Sequence, residues 1–447
     1  MTRRSFGPSR RARTKARVRA QSSSREDVPS SRHAHACNNQ RVIIILSTTR
    51  ARDAARVVAT RSATRARGCG DDERTRDGAI ATRARADASA ERRMTSESES
   101  SSRVSEAVTA SARSIAALRA LEHARGCGTR IFEDSYARAL AGENAYARVV
   151  AKARARRASS RGEEGGDEEG EEEDARGWCA DDGRVAIRTR FFDDACERWT
   201  RETEEEATTS ARTRRQIVLL GAGFDSRCWR LGGNANAVGA LTAYEADDAR
   251  VLDEKEKAMK DATLTLVASR RVVRCDLERG DWFAALVRAG YDATLPTLFV
   301  LEGLMYYLSP RRARRLTREC AARSGPSSAM VVSVVNPAAL RRATREPLGA
   351  KIARFFGRGK PKTARQSWKS SCDAPPETYF DAWDVDTVGQ LGDDVLHYGR
   401  WTGKTPTEYP RDARAYRREK TPRTFYVFAR KRDDATSSRR APAASHS

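Results

Sequence analysis

Three acidic residues close runs of apolar or β-branched residues along this chain: Asp247 in LTAYEAD, Asp276 in VVRCDL and Glu302 in LFVLEG. A fourth run, QIVLL, is closed by Gly221-Ala222-Gly223. In an open parallel sheet, ligands sit beyond the carboxyl ends of the strands, and the first strand-to-helix turn makes the closest approach. Gly221 permits the tight turn, and Gly223 lets backbone approach a ligand with no Cβ in the way. At the end of the second run, Glu245 and Asp247 are both placed to accept the two hydroxyls of a ribose. Carboxylates at buried strand ends need partners, and three in register point to a ligand; helix caps and turn acids are the plainer alternative.

A dinucleotide fingerprint requires a third glycine three residues on, where the helix packs beside a pyrophosphate. Here that position is Ser226, which disfavours an NAD-dependent oxidoreductase. A ligand with a ribose and no pyrophosphate fits better, and S-adenosyl-L-methionine is the common one. Asp276 is then placed to accept from the adenine amino group while Leu277 lines the ring, and Glu302 lies towards the sulfonium and amino group.

These residues need a scaffold of alternating elements. Strand-like runs fall at Gln216–Leu220, Leu241–Glu245, Arg271–Cys275, Thr297–Glu302 and Ala329–Val335. Helix-like segments lie between them at Ala249–Lys260, Leu277–Ala289 and Pro310–Arg323. Strands separated by about 10–15 helical residues predict right-handed crossovers and a mostly parallel sheet covered on both faces. TFYVFAR, Thr424 to Arg430, is a further strand. Upstream, VSEAVTASARSIAALRALEHA has helical spacing with Ser105 as its cap, and IFEDSYARALAGENAYARVVAKA is a second helical stretch.

The chain has 447 residues, 39% hydrophobic and 32% charged, with a formal charge of +23. Much of that excess is local. Met1 to Gly70 carries seventeen Lys/Arg against three Asp/Glu. Residues 1–103 therefore read as a disordered basic tail; being Arg- and Ser-rich and acid-poor, it has the composition of an organelle transit peptide. That predicts a chloroplast or mitochondrial location if the tail is one, and a cytoplasmic location otherwise. Residues 104–160 read as an N-terminal helical cap or lid, 161–177 as an acidic flexible insertion, 178–432 as the ligand-binding domain and 433–447 as a C-terminal tail. The basic residues beyond the tail show none of the Lys/Arg clustering with interleaved aromatics that marks a nucleic-acid face. No run reaches the ~18 apolar residues of a membrane span. Nine cysteines without a Cys-x-x-Cys pair suit scattered core positions in a reducing compartment. The His33, His35 and Cys37 group lacks a fourth ligand nearby, so no metal site is expected.

Together the motifs IAALRALEHA, FEDSYARALAG, IRTRFFDDA, IVLLGAGFDSRCWRL, YEADDARVLDEK, VVRCDLERGDW and LEGLMYYLSP resemble the leucine carboxyl methyltransferase-like family of S-adenosylmethionine-dependent methyltransferases. The resemblance spans roughly Ser111 to Arg430 and implies a Rossmann-like α/β fold of the class I methyltransferase type. By position, it implies that Arg188 pairs with the cofactor's methionine carboxylate, a role suited to a guanidinium fork, with Arg190 or Arg227 as candidates to share it. It further implies Gly221 and Gly223 as the cofactor turn, Asp247 as the ribose acid, Asp276 and Leu277 as adenine contacts and Glu302 as the acid near the methionine moiety. Asp248 and Ala249 depart from the family pattern, which commonly has a proline at the second position, so the turn after the second strand is expected to differ.

The implied reaction is O-methylation of a carboxylate or hydroxyl on a small molecule or protein. A carboxylate acceptor needs no base, being ionised at neutral pH; a hydroxyl does, and no histidine falls inside the strand-end motifs. Met305, Tyr306 and Tyr307 read equally as core or as the wall of an acceptor pocket, and His397 and Tyr398 as a packed aromatic edge. The competing readings are a tRNA-modifying enzyme using the same cofactor and a non-catalytic S-adenosylmethionine-binding protein.

Overall fold

The apolar runs form the middle of one seven-stranded sheet with strand order β3-β2-β1-β4-β5-β7-β6. The computed structural model describes residues 106–125, 128–161, 181–205, 214–230, 241–262, 269–346 and 364–432. The expectations for residues 1–103, Ser105, 162–177 and 433–447 fall outside these.

The strands are β1 (Arg215–Leu220), β2 (Leu241–Asp247), β3 (Ser269–Arg274), β4 (Thr297–Leu301), β5 (Ala329–Val335), β6 (Trp383–Gln390) and β7 (Thr424–Lys431). The first five are parallel; β7 runs antiparallel to β5, and β6 antiparallel to β7. β6 was not anticipated. Its sequence WDVDTVGQ exposes Asp384 and carries a register shift between Val385 and Thr387, so it lacks the apolar run of a central strand.

Helices cover both faces. They are α1 (106–123), then α2 (Ala137–Ala141), α3 (Glu143–Arg161), α4 (Arg184–Glu205), the single turn α5 (Arg227–Arg230), α6 (Ala249–Ala258), α7 (Trp282–Arg288), α8 (Pro310–Ala322), α9 (Pro337–Thr344), α10 (Pro376–Tyr379) and α11 (Ala413–Arg418). The expected continuous helix from Ile131 is broken, because Gly142 takes φ 72° and ends α2. The helix expected from Leu277 begins only at Trp282: Asp276 Oδ1 accepts from the amides of Glu278 and Arg279, and Gly280 has φ 92°. The turn after β2 is completed by Asp248, whose side chain accepts from Arg250 N and caps α6, so that Ala249 takes the first helical position behind an acidic cap. α4, also unanticipated, buries Ile187, Phe191, Phe192, Ala195 and Trp199 on one face, and Asp181 Oδ2 accepts from Val185 N at 2.9 Å near its start.

β4 shows why a parallel strand reads as an unbroken apolar run. Phe299 and Leu301 face the side packed by Trp282, Leu286 and Leu316, while Leu298 and Val300 face α4. All four are at most 2% exposed, and each such side chain contributes about 1.5–3 kcal/mol of burial. A third cluster joins α1, α2 and α3 to Phe224, Trp229, Val251 and Met259. The chain reverses its direction across the sheet at β1, which lies between β2 and β4. Such a switch point opens a crevice at the carboxyl ends.

Candidate functional site

At that crevice the glycine turn is pinned to β2, with Gly221 N donating to Ala246 O at 2.8 Å. Gly221 has φ 70°, and a Cβ there would lie 3.0 Å from Leu304 Cδ1, so both conformation and packing require glycine. Gly223 has φ 46°, but a Cβ there would meet nothing nearer than 3.8 Å. The turn is open on that side. Its amide donates to Asp247 Oδ2 at 2.7 Å, and Asp248 N donates to Oδ1 at 2.7 Å. Burial pushes Asp247 up to about 6, against the opposing effect of these two amides.

The two acids left open at the second strand separate cleanly. Glu245 is 0% exposed; it accepts from Lys255 Nζ at 2.8 Å and from Arg270 Nη2 at 2.7 Å. It is an internal ion triad, and Asp247 is the carboxylate at the crevice.

Glu302 follows β4 and is gripped by two arginines. Arg188 Nε, from α4, donates to Oε1 at 2.8 Å, and Arg227 Nη1 donates to Oε2 at 2.6 Å. Burial opposes the charge of Glu302, but Arg227 and then Arg188 overcome it and hold the carboxyl below its ordinary range. Among the described residues, neither terminal nitrogen of Arg188 has a hydrogen-bond partner. Arg227 is 6% exposed and also bonds Asp193 and Asp225. It supports the site from behind. Arg190 pairs with Asp194 and the carbonyl of Ile131.

Asp276 lies at the end of β3, but its Oδ1 is engaged by its own turn and its Oδ2 stands 3.3 Å from Arg279 Nε in an exposed pair. Leu277 is 7% exposed and shares a cluster with Leu301 and Leu304. Met305 belongs to that core, while Tyr306 stacks on Trp368 with ring centroids 4.3 Å apart. Tyr306 Oη comes within 3.2 Å, and Arg188 Nη1 within 3.6 Å, of where a Cβ on Gly303 would stand. Tyr398 packs against the α4 cluster and donates to Asp194 at 3.0 Å.

Sequence reasoning missed the acids behind the arginines, Asp134, Asp193 and Asp225, and the cap's Arg119. The only local signal was the adjacency of acid and arginine in FDSR and the three-residue spacing of Arg227 and Arg230. Ser226, read only as a missing glycine, bonds Asp134 Oδ2 at 2.7 Å and so ties the turn to the cap. Among the described residues no group of His, Cys, Asp or Glu is arranged to hold a metal ion, and no helix is long and apolar enough to cross a membrane. The five cysteines described are free and buried.

Parallel strands ending on a glycine turn and carboxylates, with two antiparallel strands completing the sheet, define a Rossmann-like methyltransferase fold. The family model described as "Leucine carboxyl methyltransferase" matches residues 112–321. A relative from Mycolicibacterium gilvum (strain PYR-GCK), named "Putative S-adenosyl-L-methionine-dependent methyltransferase", is 32% identical over 48% of this chain and 70% of its own length. One of the same description from Mycolicibacterium smegmatis is 43% identical over 30% of this chain and 38% of its own. A duf574 family protein from Streptomyces avermitilis superposes with a TM-score of 0.36 at 12% identity, covering 56% of this chain and 84% of that one. The chain belongs to the leucine carboxyl methyltransferase family of S-adenosyl-L-methionine-dependent methyltransferases.

Proposed function

We propose that the protein is an O-methyltransferase whose acceptor is a carboxylate. The observation that carries this is the set of groups at the Glu302 end of the crevice, where none of the described residues is suited to take a proton from a hydroxyl. Glu302 is held below its ordinary range between two arginines. Tyr306 is pushed up to about 12 by burial, against the pull of Arg188, and burial raises Tyr426 as well. Of the described histidines, His123 lies on the cap and His397 after β6. An acceptor already ionised at neutral pH needs none of these as base.

The residues fit the family's cofactor. Among the described residues, the open face at Gly223, the unpartnered fork of Arg188 and a carboxylate at 247 engaged by two backbone amides suit a nucleoside bearing an amino acid. Arg188 would hold the methionine carboxylate through its terminal nitrogens, with Glu302 beside the ammonium group. Asp247 would accept the ribose hydroxyls, and the edge of Leu277 would meet the adenine, with Asp276 Oδ2 reaching its amino group by giving up the exposed pair with Arg279. When bound, S-adenosylmethionine supplies an activated methyl group and its own leaving group, so what remains for the protein is alignment and exclusion of water.

Incubation with methyl-labelled cofactor and a cell lysate tests the acceptor. Label on protein or small molecules that mild base releases as methanol is the expected result. Base-stable label would exclude the carboxylate, and label confined to RNA would favour the tRNA-modifying alternative.

A further inference from the structure

The crevice is wired to the cap by an unbroken series of buried polar contacts. From α1, Arg119 Nε donates to Asp134 Oδ2 at 2.8 Å. The same oxygen accepts from Ser226 Oγ at 2.7 Å, and Ser226 Oγ accepts from Arg230 Nε at 3.0 Å. Arg230 Nη1 and Nη2 donate to Asp193 Oδ2 and Oδ1 at 2.6 and 2.9 Å. Asp193 Oδ1 also accepts from Arg227 Nε at 2.8 Å, and Arg227 Nη1 reaches Glu302. Glu302 in turn takes Arg188 Nε.

Four arginines, at 119, 188, 227 and 230, here face four acids, at 134, 193, 225 and 302. Most are nearly inaccessible: Arg119 and Arg227 are 6% exposed, Asp193 3% and Asp134 1%. Charges buried to this degree hold their geometry because each satisfies its neighbour. Asp193 is the pivot. It receives three donors from two arginines and shares α4 with Arg188.

We propose that Asp193 is a positioning residue for the cofactor's methionine end: by fixing Arg227 it orients Glu302, and through Arg230, Ser226 and Asp134 it makes that orientation depend on the seating of the cap. Glu302 in this orientation engages Nε of Arg188, and among the described residues the terminal fork has no hydrogen-bond partner. The inference rests on the reading of Arg188 and Glu302 as cofactor contacts.

Calorimetric titration with S-adenosylhomocysteine tests it on wild type, Asp193→Asn, Glu302→Gln, the double variant and Ser226→Ala, each with a thermal melt without ligand. Asp193→Asn should bind on the order of ten- to a hundredfold more weakly, the scale of a displaced positioning group. In the Glu302→Gln background the same substitution should cost less than about threefold, because residues acting through one another are not additive. A merely structural Asp193 would lower the melting temperature and leave the affinity of the folded protein alone. Wild-type affinity in Asp193→Asn, or an undiminished loss in the double variant, overturns the proposal. If Asp193→Asn does not fold, Ser226→Ala removes the bridge without leaving a charge unpaired; weakened binding is expected, and wild-type binding there overturns it. Wild-type protein that fails to bind, or Glu302→Gln that binds normally, would instead overturn the site reading and this proposal with it.

Discussion

Asp247→Asn should stabilise the protein without ligand while weakening its hold on the cofactor. The Asp247 carboxylate accepts from two backbone amides, Gly223 N and Asp248 N, each at 2.7 Å, yet burial still pushes it up to about 6 from 3.8. The folded state therefore keeps a proton that the unfolded state has released. Stability attributable to this group is full below about pH 4 and is lost as pH rises through about 6. Two units correspond to about 3 kcal/mol at 1.36 kcal/mol per unit, an upper figure. Asparagine removes the charge but keeps only one acceptor oxygen, which returns about 1 kcal/mol. A net gain of about 1–2 kcal/mol near pH 7.5 is expected, or a melting temperature higher by about 2–8 °C. Near pH 4, where wild-type Asp247 is itself protonated, the advantage should vanish. Urea denaturation of both proteins from pH 4 to 8 measures this, with S-adenosylhomocysteine titration at pH 7.5 as companion. Parallel stability curves across that range would refute the reasoning, since the difference isolates one titrating group.

Three further outcomes follow from other contacts. Arg188→Ala should weaken S-adenosylhomocysteine binding by about 1–3 kcal/mol, the usual cost of a charge-assisted hydrogen bond, as read by calorimetry. Lys255→Met should destabilise the fold by about 3 kcal/mol in chemical denaturation, because it breaks the buried Glu245 pair; folded protein should keep its affinity within about twofold. Gly221→Ala, at φ 70° and with Leu304 Cδ1 3.0 Å from the new methyl, should cost about 1–3 kcal/mol and lower the melting temperature before any ligand is added.

What could be read from the sequence was what depends on near neighbours along the chain. Leu298–Leu301 announces a central strand because both faces are covered, and Gly221 announces a turn because only glycine suits that backbone. β6 escaped because an edge strand with aspartates at 384 and 386 has no such run, and α4 was not read as a helix although its apolar residues recur at helical spacing. The split at Gly142 was visible as a residue but not as a stop. Among site residues, Asp247 and Glu245 share a strand and a parity, so only the distant partners Lys255 and Arg270 distinguish them. The acids around Arg227 come from three separate segments, and no local spacing carries that arrangement.

The bridge from Ser226 to Asp134 bears on where this chain could be cut. A fragment starting at Asp181 would lose the partners of Arg230 on the cap side and lay bare Phe224, Trp229, Val251 and Met259, which α1, α2 and α3 now cover. The boundary that composition draws between cap and catalytic body is therefore no seam for folding. Anyone expressing the sheet alone should obtain aggregate.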